Sequence, residues 1–233
     1  MKDACHWNGT ACKLLIPALL LIAGVSSPTA SAQDGAADDR WEMAMQMFEE
    51  QDAENPPEPG GVVLYGSSSI RRWPVRKSFP DMKVVNRGFG GSKMSDANRY
   101  FERIVVPHQP RVIVLYEGDN DIGSGMTPEE VLKDFQAFVK LKEQHLPDTK
   151  LVVLSVKPSI RRWNMIDKIR ETNALIEELC NQHPDLVYVD VDTPMIGKDG
   201  RPRKDLLADD NLHLSDAGYE LWNGLVRPHL EEE

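Results

Sequence analysis

The chain has few cysteines. Of the three among its 233 residues, Cys5 and Cys12 lie within the first 32. If those residues are removed on export, Cys180 alone remains, and one cysteine cannot form an internal disulfide. Cys180 lies at helical spacing from Ile176, so we expect it to pack in a core as a small hydrophobic residue. The sequence therefore excludes a disulfide-stapled fold and does not indicate a thiol nucleophile.

The sequence also lacks a long apolar segment near its start. The run at residues 14–25 has about 12 residues, whereas a helix that spans a bilayer needs about 20. Two lysines precede the run, and Ala30-Ser31-Ala32 follows it, which is the small-residue pattern of a signal-peptide cleavage site. We therefore predict a signal peptide over residues 1–32 and a secreted mature chain, periplasmic or extracellular, with no membrane anchor after cleavage. An uncleaved N-terminal anchor is the alternative.

Positive charge is scarce. The chain has 27 basic and 37 acidic residues, for a net charge of −10. Removal of residues 1–32 leaves 25 basic and 36 acidic residues, a net charge of −11. Such a protein is poorly suited to bind nucleic acid or anionic lipid, so no nucleic-acid partner is expected. The proportions of hydrophobic residues (41%) and charged residues (27%) are those of a globular protein, and the length suits one domain.

Residues 33–60 are predicted to precede the main domain. Residues 33–40 are small and acidic, which indicates a flexible start. Three apolar residues then recur at helical spacing and predict an amphipathic helix that packs on the main domain: Trp41, Met45 and Phe48. A proline-rich linker at residues 55–60 ends this helix and leads into the main domain, residues 61–233.

Short apolar runs alternate with helical patterns in the main domain. The apolar runs are Val62–Tyr65, Lys83–Val85, Val112–Tyr116, Leu151–Val156 and Leu186–Val189. The helical patterns lie near residues 68–79, 92–106, 128–145, 163–182 and 215–229. This alternation predicts a doubly wound α/β domain, in which helices cover both faces of a parallel sheet.

Polar groups follow four of the predicted strands. These groups are Gly66–Ser69, Asn86–Gly91, Glu117–Asp121 and Asp209–His213. Because the functional loops of such sheets follow the carboxyl ends of the strands, we expect all four groups to meet at one edge. The other histidines lie before strands, at the end of the last helix or in the signal peptide, so His213 alone is placed to share a site with the serines.

These residue types fit acyl transfer. A serine hydroxyl becomes a good nucleophile when a neighbouring base accepts its proton, and histidine suits this role because its ordinary pKa is about 6.5. Asp210, three residues before His213, is able to orient the ring from the same loop. Backbone N–H groups of a glycine-rich turn and the Asn120 amide are suitable donors to a developing oxyanion.

The motifs resemble those of the SGNH/GDSL hydrolase superfamily, especially bacterial relatives of the platelet-activating-factor acetylhydrolase catalytic subunit. The resemblance covers roughly residues 41–230 and rests on four segments: Gly66-Ser67-Ser68, Gly90-Gly91, Gly118-Asp119-Asn120-Asp121 and Asp210-Asn211-Leu212-His213. It implies a flavodoxin-like three-layer α/β/α sandwich with strand order 2-1-3-4-5. It also implies carboxylic ester hydrolysis through an acyl-enzyme, without a metal or an organic cofactor. In one departure, Ser67 stands where the family usually has Asp.

The resemblance assigns roles to individual residues. Ser68 is the implied nucleophile, His213 the base and Asp210 the orienting acid. The oxyanion hole consists of the Ser68 and Gly91 N–H groups and the Asn120 side chain. Ser69 remains an alternative nucleophile, and Gly90 an alternative to Gly91, because each neighbours a residue of the same type.

Two other classes of function remain open. Five side chains are able to act as ligands of a divalent metal in a metal-dependent hydrolase: Asp119, Asp121, Asp209, Asp210 and His213. In the second alternative, the Gly66–Ser69 turn cradles a phosphate in a non-catalytic binding module of flavodoxin-like fold. Neither alternative predicts labelling by a fluorophosphonate.

The substrate is only partly indicated by the sequence. Arg71 and Trp163 belong to two arginine-tryptophan segments that follow strands; they either pack at the surface or line the cleft and bind a sugar or an acidic group. The sequence has no long insertion resembling a lid, which favours short acyl groups such as acetyl, on a small-molecule or carbohydrate ester. The sequence does not indicate an oligomeric state.

Overall fold

The sheet has five parallel strands. The computed structural model describes residues 34–231, with side chains from residue 40 onward, so the predicted signal peptide lies outside the described residues. The strands are Val62–Gly66 (β1), Val84–Gly88 (β2), Val112–Tyr116 (β3), Lys150–Leu154 (β4) and Leu186–Val189 (β5). Their order across the sheet is β2-β1-β3-β4-β5, which confirms the predicted order.

Eight α-helices are described. They are Asp34–Glu54 (α1), Ser68–Arg71 (α2), Val75–Ser78 (α3), Met94–Ile104 (α4), Asp119–Gly123 (α5), Pro128–His145 (α6), Ile166–Cys180 (α7) and Asp216–Val226 (α8). Short 3₁₀ turns lie at Val106–His108, Trp163–Met165, Thr193–Met195, Lys204–Leu206 and Arg227–His229. In the described part of the chain, no helix is long and apolar enough to cross a membrane.

Alternation along the strands builds two cores. On β1, Val63 and Tyr65 face one core together with side chains of α1, α4, α6 and α7. Val62 and Leu64 face the other core, with Ile70 of α2 and the aromatic side chains of α8. Because successive strand residues point to opposite faces, an apolar strand buries both faces at once. The result is the predicted three-layer α/β/α sandwich, with the cysteine at 180 buried in the first core.

Local signals account for where the helices begin. Helix α6 has the predicted limits because Thr127 caps it and Glu130 bonds back to the Thr127 N–H, a capping box with Pro128 at the first position. The single helix expected over residues 68–79 is instead two short ones, because Pro74 lies between them and cannot continue a helix. Helix α5 is not among the helical patterns that the sequence predicts.

Helix α1 begins earlier than expected. Its backbone is helical from Asp34, within the segment of residues 33–40 that precedes the predicted helix. Two alanines and the acidic residues near the helix start favour this extension, since alanine is the best helix former and acids complement the N-terminal end of the helix dipole. As predicted, Met45 is buried in the core, with Trp41 and Phe48 packed against it.

Candidate active site

The turn after β1 exposes one serine of three. Gly66 has φ +136°, and a Cβ there would lie 2.1 Å from the Tyr116 carbonyl oxygen, so only glycine fits beside β3. Ser67 and Ser69 are each 2% exposed, whereas Ser68 at the start of α2 is partly exposed. The burial of Ser69 leaves Ser68 as the serine whose hydroxyl a substrate can reach.

His213 connects Ser68 to Asp210. Its Nε2 lies 2.9 Å from Ser68 Oγ, and its Nδ1 lies 2.6 Å from Asp210 Oδ2. If Nδ1 carries the proton and donates it to the carboxylate, Nε2 is free to accept from the serine hydroxyl. The three side chains predicted to act together are therefore joined in one hydrogen-bonded chain, an arrangement that can activate a serine hydroxyl.

Asp210 holds the loop that carries His213. Its Oδ1 accepts from the backbone N–H groups of Leu212 at 3.0 Å and His213 at 2.9 Å. Asn211, which follows Asp210, has φ +57°, a left-handed conformation that asparagine tolerates better than most residues. The acid and the base are thus positioned by one tight turn, so the spacing Asp-x-x-His fixes the ring relative to the carboxylate.

Burial and hydrogen bonding shift the pKa values of this pair. Burial lowers the pKa of His213 below its ordinary 6.5, and this outweighs the opposite effect of the Asp210 hydrogen bond. Burial alone would raise the pKa of Asp210, but hydrogen bonds from His213 and Leu212 hold it far below its usual range. At neutral pH the histidine is therefore neutral and the aspartate ionised, as a base and its orienting acid must be.

Ser68, Gly91 and Asn120 lie on three adjacent loops at the same edge of the sheet. The Ser68 N–H is at the first position of α2, where helical N–H groups have no intrahelical partner. Gly91 has φ +83° in the turn after β2. The Asn120 Nδ2 donates one bond to the Ser92 carbonyl at 2.9 Å, which leaves its second hydrogen for another acceptor.

A buried ion cluster orients Asn120. Arg162 donates from Nη2 to Asn120 Oδ1 at 3.1 Å and from Nη1 to the Asp119 carbonyl at 2.9 Å. Its Nη1 also lies 2.6 Å from the Asp119 carboxylate, and Lys157, fully buried, lies 3.3 Å from the same carboxylate. Because Arg162 can only donate, Asn120 Oδ1 must face it and the amide N–H₂ must face the turn at Ser92. Sequence reasoning left Arg162, in one of the two arginine-tryptophan segments, either at the surface or in the cleft, and did not identify Lys157.

Two buried acids lie behind the turn at Ser92. Ser92 Oγ donates to Glu117, whose pKa burial raises well above its usual range. Asp121 accepts from the Met94 N–H at 3.0 Å, and burial raises its pKa to about 6. Burial therefore disfavours the charged form of Glu117 behind this turn.

The proposed metal ligands are not brought together. Asp119 pairs with Lys157 and Arg162, Asp121 faces the start of α4, and Asp210 and His213 contact each other. Within residues 34–231, no group of three or more His, Cys, Asp or Glu side chains is arranged to hold a metal. The metal-dependent alternative therefore has no structural support in this part of the chain.

Arg71, one of the two possible substrate-binding residues, lies on the same short helix as Ser68. It is exposed at the end of α2, and its guanidinium lies over Gly90. Trp163 is half-buried, with the Arg201 guanidinium 5.4 Å from its ring. The neighbouring Arg161 N–H donates to the Asn211 carbonyl at 3.0 Å, which ties the Trp163 segment to the loop of the histidine.

Comparison with known proteins agrees with this geometry. The profile of the GDSL-like Lipase/Acylhydrolase family matches residues 61–221, most of the chain. The chain belongs to this family. As a GDSL-type protein it is an esterase or acylhydrolase, and the resemblance seen in its motifs is confirmed.

Named relatives of this GDSL-type chain cover most of its length. Human platelet-activating factor acetylhydrolase IB subunit alpha1 is 29% identical over 203 residues, which are 83% of this chain and 84% of the relative. Subunit alpha2 from Gallus gallus is 28% identical over 212 residues, 84% of this chain and 87% of the relative.

Solved structures share the GDSL fold. A GDSL-like lipase from Bacteroides thetaiotaomicron superposes with a TM-score of 0.71 at 18% identity, over 80% of this chain and 96% of that one. A carbohydrate esterase family 3 protein from Talaromyces cellulolyticus gives a TM-score of 0.59 at 17% identity, over 73% of this chain and 96% of that one. At these identities the similarity extends to the fold alone.

Proposed function

We propose that the chain hydrolyses carboxylic esters through an acyl-enzyme on Ser68. The observation that carries this proposal is the hydrogen-bonded chain from Ser68 Oγ to His213 Nε2 at 2.9 Å and from His213 Nδ1 to Asp210 at 2.6 Å. A phosphate-binding module would have no use for this arrangement. Family membership supports an esterase, and the mechanism below follows from the side chains themselves.

In the first half-reaction, Ser68 Oγ bonds to the ester carbonyl carbon while its proton passes to His213 Nε2. The carbonyl oxygen becomes an oxyanion, which the N–H groups of Ser68 and Gly91 and the Asn120 amide stabilise. The carbon–oxygen bond to the alcohol then breaks, and His213 gives its proton to the departing oxygen.

In the second half-reaction, water attacks the acyl carbon and gives a proton to His213. The bond to Ser68 Oγ breaks, and the proton returns to that oxygen. The acid is released and the serine is restored, so neither a metal nor an organic cofactor takes part. Asp210 stays ionised throughout and stabilises the imidazolium in both halves.

The proposed substrates are esters of short acyl groups such as acetyl, on a small molecule or carbohydrate. The absence of a lid-like insertion in the sequence supports short chains. We place the reaction outside the cytoplasm on the strength of the apolar run and cleavage motif within residues 1–32. N-terminal sequencing of protein exported by a bacterial host tests this, and a mature chain that starts at residue 33 is expected.

The test of the mechanism is turnover of 4-nitrophenyl acetate and butyrate by the chain from residue 33. We expect Ser68→Ala to lower kcat by several orders of magnitude, and a fluorophosphonate to label the wild type but not this variant. Ser69→Ala is the matched control and should keep both labelling and turnover, since Ser69 is buried. Equal activity of wild type and Ser68→Ala would refute the serine mechanism.

A further inference from the structure

A groove runs between α1 and the loop that carries Gly91. It has a volume of about 440 Å³, and its lining includes Arg40, Trp41, Met43, Met47, Arg71 and Gly90. Its outer wall is apolar, and Met43 and Met47 are 74% and 52% exposed. Trp41 Nε1 donates to the Gly90 carbonyl at 3.2 Å, which ties this wall to the loop next to the serine.

Two arginines contact consecutive glycines of that loop. The Cζ and Nη2 atoms of Arg71 lie 3.0 Å, and its Nε 3.1 Å, from the point where a Cβ of Gly90 would stand, so the guanidinium lies face-on over this residue. Arg40 Nη2 lies 2.6 Å from the corresponding point at Gly91. Any larger residue at either position would displace an arginine, so the glycines permit both cations to lie against the loop.

Both guanidinium groups are available to a ligand. Arg40 and Arg71 are exposed, and neither makes an ion pair within 4.0 Å with a carboxylate of the described residues. The neighbouring Arg72 differs, because it lies 3.6 Å from Asp210. Arg40 lies over the Trp41 ring and interacts at longer range with Asp96. The two guanidinium groups lie against adjacent glycines, so one anion can contact both. In a chain of net charge −10, such a pair beside the site is a distinctive feature.

The arginines lie close to the reacting serine. Arg71 is the last residue of α2 and Ser68 the first, so about 4.5 Å of helix axis separates them. Gly91, which Arg40 contacts, supplies a proposed oxyanion donor. A substrate whose carbonyl lies at Ser68 therefore reaches the arginines within a few bonds, and its apolar part has room along Met43 and Met47.

We propose that this groove binds an anionic group of the ester, a carboxylate or phosphate held by Arg40 and Arg71. Guanidinium forks match these groups because they donate two parallel hydrogen bonds. This inference rests on the proposed esterase function. Since the proposed acyl group is short, the anion belongs to the alcohol part of the substrate.

The experiment compares 4-acetoxybenzoate with its neutral methyl ester, methyl 4-acetoxybenzoate. Wild type is expected to favour the anion by about tenfold or more in kcat/KM, since a hydrogen bond to a charged group has about that effect. The double variant Arg40→Gln, Arg71→Gln should remove the preference, and Arg71→Lys should retain part of it. Arg76→Gln removes an exposed arginine outside the groove and should leave the ratio unchanged.

A binding measurement separates this inference from the esterase proposal. Ser68→Ala protein should bind 4-acetoxybenzoate more tightly than its methyl ester in calorimetry, and should lose that difference when Arg40 and Arg71 are also changed. Phenyl phosphate in the same assay shows whether phosphate is preferred to carboxylate. Equal affinity for both esters overturns the anion site, even where Ser68-dependent turnover of neutral esters stands.

The position of the anion is tested in the acyl part as well. Mono-4-nitrophenyl adipate carries the charge on the acyl chain, and 4-nitrophenyl hexanoate is its neutral partner. If the arginines give no preference between these two esters, that result supports placing the anion in the alcohol part. A preference here, with none for acetoxybenzoate, overturns that assignment and the short acyl group together.

Discussion

At the scale of single residues, the pKa of His213 sets how activity depends on pH. Burial lowers that pKa below 6.5, so the neutral, basic form persists into weakly acidic solution. We expect kcat/KM for 4-nitrophenyl acetate to fall as pH decreases, with a midpoint below about 6.5. The measurement is a profile from pH 4.5 to 8.5.

The control for this profile is His183→Gln, which changes a histidine distant in sequence from the proposed triad and paired with Glu143. For this variant, kcat/KM should fall with decreasing pH at the same midpoint as for the wild type. A midpoint above about 6.5, or activity that does not fall at all down to pH 4.5, would contradict His213 as a base whose pKa is lowered.

Arg162 should act on catalysis through Asn120. Loss of its bond to Asn120 Oδ1 frees the amide to turn. We therefore expect Arg162→Gln to lower kcat by about 10- to 100-fold with a small change in KM. This loss in kcat is smaller than the roughly 10²–10³-fold loss typical of removing an oxyanion donor. Arg161→Gln is the exposed neighbouring control and should behave as wild type.

A double-mutant cycle separates positioning from general disruption. In an Asn120→Ala background, Arg162→Gln should have little further effect on kcat, because both substitutions remove the same donor. If the double variant instead loses kcat by the product of the two single losses, Arg162 acts independently of Asn120, for example through its ion pair with Asp119.

At the scale of elements, one buried ion pair fastens α1 to the sheet. Asp52, near the end of the helix, pairs with Arg87 of β2, whose side chain is 4% exposed. The Asp52 carboxylate also lies 3.2 Å from His108 Nε2. Arg87 also lies over the Phe48 ring, 4.9 Å from its centre. Helix α1 in turn forms one wall of the groove, so this pair connects helix packing to the shape of the site.

Asp52→Ala should lower the free energy of unfolding by about 3 kcal/mol, because it leaves the Arg87 charge buried without its partner. Urea unfolding followed by circular dichroism measures the change. Glu50→Ala, an exposed acid on the same helix, should cost no more than about 0.5 kcal/mol. Similar values for the two variants would show that the pair does not stabilise the fold.

At the scale of the whole molecule, Cys180 reports on global unfolding. It is 2% exposed in the first core, and burial raises its pKa to about 12, so the reactive thiolate is disfavoured. We expect the chain from residue 33 to react with Ellman's reagent at pH 8 only as fast as the core opens. The rate should increase with urea in parallel with the loss of circular dichroism.

An exposed cysteine, introduced as Glu50→Cys, should react at once under the same conditions and serves as the control. Fast reaction of Cys180 in the native protein would instead reveal a local opening of α7 at its C-terminal end.

The positions of the strands and the meeting of the catalytic loops were predictable from the sequence pattern, whereas the strand order was implied only by the resemblance to the family. The apolar runs at β3 and β5 coincide with the observed strands, because a strand buried on both faces must be continuously apolar. The carboxyl ends of parallel strands share one edge, so the serine turn, Asn120 and His213 had to converge. Asp210 and His213 are three residues apart, and a single turn joins them.

Other features are decided by the tertiary structure alone. Three consecutive serines are equivalent in sequence, and burial against the second core separates Ser68 from Ser69. Arg162 meets Asn120 across 42 positions. Contacts of this kind leave no local periodicity, because the chain must fold before the charges can pair. The same holds for Arg40 and Arg71, which come together only once α1 packs against the glycines that follow β2.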